Sequence, residues 1–180
     1  LQGITITGDA FNVFVFLEIS SLAMYVLVGF GRDRRAVLAA FHYLILGSIG
    51  GTFVLIGVGL LYQQTGTLNM ADLAERLPAI LERRQVLVAF AFLTVGTCLK
   101  LALFPLHSWL PNAYTYAPSA VSAFVSATAT KVMVYVFLRF TFSLFGTTFA
   151  FELLELGRPL MFLALAGIYA GSAVAIFQDN

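Results

Sequence analysis

Long apolar stretches alternate with short polar breaks along this chain, and the stretches have the length of membrane spans. A helix needs roughly 20 apolar residues to cross a hydrocarbon core. Five stretches qualify: residues 10–30, 37–62, 85–110, 119–144 and 159–177. Gly31, Arg32, Asp33, Arg34 and Arg35 close the first. The polar segment 63–84 separates the second from the third. Its part 70–80 predicts a short surface helix, because charges there flank Leu73 and Leu77. Pro111, Asn112 and Ala113, with Ala117 and Pro118, bracket a predicted loop before the fourth stretch. Pro159 suits the first turn of the fifth, and residues 1–7 read as the tail of a preceding helix. Pro105 interrupts the third stretch: it has no N–H for the Leu101 carbonyl, and its ring crowds that turn. The predicted fold is an all-α polytopic membrane helix bundle of about five spans, one of them broken near Lys100–Pro105.

Composition agrees. Hydrophobic residues make up 60% of the 180 and charged residues 11%, where a soluble domain carries about 25% charged. Mean hydropathy is +0.92. Such a chain suits lipid as its solvent. The net charge of +1 points to no nucleic-acid partner. The lone Cys98 reads as a small hydrophobe. Apolar sequence lies close to both Leu1 and Asn180, so we expect this to be the middle of a longer polypeptide.

Three charges change the picture. Glu18, Lys100 and Lys131 lie well inside apolar stretches. Each costs about 2.5–3.5 kcal/mol near a helix centre, so three unpaired would cost about 8–10 kcal/mol, comparable to the whole net stability of many domains. They must be paired, hydrated or neutralised. A structural salt bridge between Glu18 and one lysine would leave the other lysine without an acidic partner. In a dry site burial raises a carboxyl pKa and lowers an ammonium pKa, and contact between the two opposes both shifts. A lysine whose partner can be withdrawn is therefore a group that can release and recapture a proton.

Other residues could support such a path. Freed carbonyls around Pro105 are tolerated where they line a water-filled cavity, and broken helices mark ion sites in transporters. His107, seven residues after Lys100, is either a relay or an interfacial anchor beside Trp109. His42 reads as interfacial. Ser122, Ser126 and Thr130 recur at helical spacing beside Lys131, as a hydrated face or as packing residues. Gly47, Gly50, Gly51, Gly57 and Gly59 allow close helix approach. The chain carries no Walker loop, dinucleotide motif, nucleophile elbow or Cys/His cluster, so no cofactor, metal or catalytic chemistry is expected. Arg32, Arg34 and Arg35 crowd one edge, against Arg76, Arg83, Arg84, Arg139 and Arg158 on the other. Arginine counting therefore does not orient the chain.

The block containing Lys100, Phe104, Pro105, His107, Trp109, Pro111 and Asn112, followed by Ala117, Pro118, Ser119 and Ser122, then Lys131, Arg139 and Phe140, resembles the proton-conducting membrane transporter family. Its members include the antiporter-like subunits of respiratory complex I, of membrane-bound hydrogenases, and of multi-subunit Na+/H+ antiporters, in these last the D-type component. The stretch from Gly8 and Asp9 to Glu18, Ser20 and Ser21 is similar to the family's glutamate-bearing helix, and residues 175–180 to the segment just after its second repeat begins. The resemblance implies that Glu18 and Lys100 form a pair that tunes proton affinity, with Lys100 at the broken helix, and that Lys131 passes protons onward. It implies that the edge at Arg32–Arg35 faces the cytoplasm or matrix, that residues 1–145 hold most of a first inverted repeat, and that 159–177 open a second. Asn112 departs from the family, many of whose members carry aspartate there.

The leading expectation is a proton-translocating, antiporter-like subunit of a multi-subunit cation/proton antiporter or complex I-like machine in a bacterial or archaeal plasma membrane, or an organelle inner membrane. Its partners would be the lipid bilayer and other membrane subunits. The cargo is protons, with Na+ the second candidate. If the assembly is a redox-driven NADH-quinone oxidoreductase or hydrogenase, that chemistry sits in other subunits. The alternative is a non-transporting structural subunit whose buried charges clamp helices.

Overall fold

Short polar side chains start the helices where the apolar stretches begin. The computed structural model describes residues 1–177; Gln178, Asp179 and Asn180, part of the last resembling segment, lie outside the described residues. After a one-turn helix α1 (Gln2–Ile6), Asp9 caps α2 (Ala10–Gly29) by accepting from the Asn12 N–H at 2.8 Å. Asp33 caps α3 (Arg34–Thr65) in the same way, accepting from the Arg35 N–H, and Asn69 caps α4 (Met70–Arg76). Each cap satisfies backbone donors the first turn leaves free. Gly66, at φ +73, ends α3 in the left-handed conformation that glycine adopts at least cost. The predicted surface helix is α4 with a 3₁₀ turn over Leu77–Ala79. There Arg76 beside exposed Asp72 holds its carboxyl below the usual range.

Helix α3 is the spine. Its 32 residues span about 48 Å, and α5 (Arg84–Lys100) runs back along it in the most extensive helix–helix contact of the fold. The chain then leaves helical geometry over residues 101–108 before α6 (Trp109–Tyr116), which packs on the Arg35 end of α3. α5, the break and α6 thus form one crossing in two pieces, as Pro105 predicts. α7 (Ser119–Leu138) returns and continues as π-helical turns over Arg139–Phe145. α8 (Gly157–Phe177) crosses last. Four uninterrupted helical segments, Ala10–Gly29, Arg34–Thr65, Ser119–Phe145 and Gly157–Phe177, are long and apolar enough to span a membrane. With the broken crossing they make the expected all-α polytopic bundle.

One expectation fails. The predicted loop around Pro111 is helix α6. Pro111 is its third residue, where an N–H has no intrahelical carbonyl to meet, so proline costs little there.

The interior has two apolar clusters. One, toward the Arg83 end, includes Leu17, Val54, Leu93 and Met133; the other, toward Arg35, includes Met24, Tyr25, Tyr43, Trp109 and Val125. Between them lies a thin layer of small and polar residues. α2, α3 and α8 present large apolar side chains outward, among them Phe16, Ile49 and Phe162, as lipid contact requires.

Candidate functional site

Lys100 and Glu18 meet in that middle layer. The Lys100 ammonium donates to Glu18 Oε1 at 2.7 Å and to Ser21 Oγ at 3.0 Å. The lysine side chain is 4% exposed and the glutamate 25%. Lys100 is the last residue of α5, where the negative end of the helix dipole favours a cation. The next turn cannot continue: Ala102 takes a positive φ of 61°, and the Leu103 N–H bonds the Cys98 carbonyl at 2.9 Å instead of the Leu99 carbonyl. The Leu99 carbonyl accepts from the Trp109 indole N–H at 3.1 Å. Trp109 is 2% exposed and stacks on Tyr43 at 4.2 Å. It is a buried cap for the broken helix.

Glycines make room for the pair. A Cβ on Gly51 would strike the Glu18 carboxylate, and one on Gly47 would strike the Tyr25 hydroxyl. Glu18, Ser21 and Tyr25 share one face of α2 at helical spacing, so this stretch of α3 is a smooth floor under them. Ser21, Tyr25, Gly47 and Gly51 were not singled out as site residues from the sequence. The spacing of Ser21 and Tyr25 after Glu18 was the available signal.

A small, partly open cavity of about 20 Å³ adjoins the pair, lined by Ser21, Tyr25, Gly47, Lys100, Ala129 and Val132 among others. Tyr25 is 5% exposed, and its hydroxyl has no hydrogen-bond partner. The far wall belongs to α7, the helix that carries Lys131.

Lys131 stands apart from the pair. Its ammonium bonds the Ser126 carbonyl, and it lies exposed in an open cleft with Leu1, Thr5, Ala127 and Val132. Leu1 and Val132 line both the cleft and the small cavity, so they form a partition between Lys131 and the pair. Ser122 donates to the Tyr114 carbonyl at 2.7 Å, and Ser126 to the Ala123 carbonyl at 3.1 Å. Thr130 is half-buried on the same helix. His107 lies in the non-helical segment, so sharing a face with Lys100 no longer follows from their spacing. Its Nδ1 is buried without a hydrogen-bond partner, and its ring is 5.3 Å from Phe104. His42 is exposed on α3 beside Asn112. Among the described residues no group of His, Cys, Asp and Glu could hold a metal ion.

Comparison with known proteins bears on this arrangement. A family model described as "NADH:quinone oxidoreductase/Mrp antiporter, TM" matches residues 7–180. The chain is 48% identical over 180 residues to NADH-quinone oxidoreductase subunit N of Desulforudis audaxviator, covering all of this chain and 35% of that protein. It is 42% identical over 149 residues to a probable K+/H+ antiporter subunit of Rhizobium meliloti, covering 82% of this chain and 28% of that protein. The chain thus spans about a third of the length of these curated relatives. Among solved structures, the archaeal membrane-bound sulfane sulfur reductase, a respiratory membrane complex, superposes with a TM-score of 0.78 at 36% identity. That match covers 86% of this chain and 31% of that one.

Proposed function

The chain belongs to the NADH:quinone oxidoreductase/Mrp antiporter transmembrane family, and from that premise we propose that it forms part of a proton path through a larger membrane assembly. The observation that carries the reading is the 2.7 Å pair of Lys100 with Glu18, set at the break of a membrane-spanning helix. Lys100 holds its proton while Glu18 is in contact and yields it when the carboxylate withdraws, since an opposite charge within hydrogen-bond distance favours the charged form. Lys131 receives the proton across the partition formed by Leu1 and Val132 and carries it onward. His107, with its unpartnered buried nitrogen, is the further relay. Ser122, Ser126 and Thr130 belong to the α7 wall of this path, and their role is to shape it. Relatives named as subunits of oxidoreductases and cation/proton antiporters support partners that are other membrane subunits, with protons as cargo.

Proton uptake into membrane vesicles carrying the full-length protein in its assembly tests the reading. Lys100→Ala and Lys131→Ala should each abolish coupled transport while the assembly still forms. Transport at the wild-type rate in either variant removes that lysine from the path. If Glu18 and Lys100 only clamp helices, replacing both by neutral residues of matched volume will leave transport intact.

A further inference from the structure

The hydrogen bonds around Lys100 do not use up the polar capacity of the site. An ammonium has three N–H donors, and Lys100 spends two, on Glu18 and Ser21. Ser21 Oγ accepts one of these and keeps its own O–H. The Tyr25 hydroxyl spends nothing: it is buried and without a partner. Leaving such a group unsatisfied costs about 1–3 kcal/mol, an unusual expense where phenylalanine would fill the same space.

All three groups line the same small cavity of about 20 Å³. A buried water needs about 10–15 Å³ of such space and typically makes about three hydrogen bonds. The cavity is therefore sized for one water, with Lys100, Ser21 and Tyr25 as its partners. Of the other lining residues, Ser20 already donates its hydroxyl to the Leu17 carbonyl and Tyr43 stacks on Trp109, and the rest are apolar. Side chains on a helix lean toward its N-terminus, which brings the Tyr25 ring back toward the Ser21 turn. Gly47 leaves the space that the hydroxyl occupies.

We propose that Tyr25 is a positioning residue that holds one water against Lys100, on the side of the cavity formed by α7, so that this water carries the proton from Lys100 toward Lys131. This rests on the reading of Lys100 as a proton carrier and adds the group that orients its acceptor. In the step, the Lys100 N–H bond breaks as a third O–H bond forms on the water. The resulting hydronium passes one of its other protons, across the Leu1–Val132 partition, to the Lys131 amine in its neutral form, which becomes an ammonium; a water molecule and a neutral Lys100 amine remain. The Tyr25 oxygen keeps its own proton and accepts a hydrogen bond from the water throughout, which aims a water lone pair at the ammonium. A phenylalanine ring would preserve the edge-on packing against Tyr43, whose centroid lies 4.6 Å away, and would remove only the anchor.

The experiment compares wild type, Tyr25→Phe and Lys100→Ala in the full-length protein, measuring proton transport in H2O and D2O together with thermal stability. Tyr25→Phe should slow transport about fivefold, the rate equivalent of one hydrogen bond. It should also raise the solvent isotope effect, because transfer through a disordered water becomes limiting, and leave the melting temperature unchanged or higher. Wild-type rates in Tyr25→Phe with Lys100→Ala inactive overturn the positioning role alone. A slowed Tyr25→Phe with an unaltered isotope effect or a lowered melting temperature does the same, since the hydroxyl is then structural. Wild-type transport in Lys100→Ala overturns the underlying reading, whatever Tyr25→Phe does.

Discussion

Gly51 shows how a missing side chain can control a charged one. Its Cα faces the Glu18 carboxylate so closely that any Cβ would collide with Oε1. Gly51→Ala should therefore displace the carboxylate from Lys100. Hydrogen bonds to charged groups contribute about 1.5–3 kcal/mol, so the variant's transport should fall about tenfold or more. Gly59, on the same helix, has open space around it, and Gly59→Ala serves as the matched control with transport unchanged. Equal transport in both variants would show that the carboxylate tolerates displacement. The charges themselves were legible in the sequence, because Glu18 and Lys100 interrupt apolar stretches. Which lysine Glu18 meets came only through the family resemblance, which implied Lys100; spacing alone could not choose it, since the partners are 82 residues apart and the packing of α2 and α5 on α3 brings them together. Ser21 and Tyr25 were harder still: their spacing after Glu18 was the one signal, and it says nothing of a cavity until α3 and α7 pack against that face.

Among the elements, the broken crossing was foreseen and its repair was not. Pro105 announces lost hydrogen bonds, but nothing in the order of residues says that the Trp109 indole will take up the Leu99 carbonyl. Trp109→Phe keeps an aromatic ring to stack on Tyr43 and deletes that bond. It should lower stability in detergent by about 1 kcal/mol, read as a lower melting temperature. An unchanged value would mean that the break needs no indole cap. The loop expected near Pro111 turned out helical for a positional reason: the first helical turn makes no demand for the N–H that proline lacks. The helix does stop before Pro118, as the restriction on the preceding residue requires. The π-helical turns after α7 follow no pattern of polar and apolar residues, so they could not be read from the chain.

For the whole molecule, the helical membrane bundle was the easiest inference, because five apolar stretches and few charges leave no other solvent. Placement of Lys131 outside the cavity beside Lys100 came only with the three-dimensional arrangement. If its cleft belongs to an aqueous path, a cysteine in place of Ala127, which lines it, should react in the full-length protein with a membrane-impermeant maleimide. Cys98, 6% exposed in the interior, should not react under the same conditions. Protection of both would argue that the cleft is filled by protein or lipid.

Phe104 lies against Gly167 of α8, four residues beyond the lysine that ends α5. Residues 101–108, non-helical between α5 and α6, carry Phe104, so a movement of α8 would meet the chain at the break rather than on a helix face.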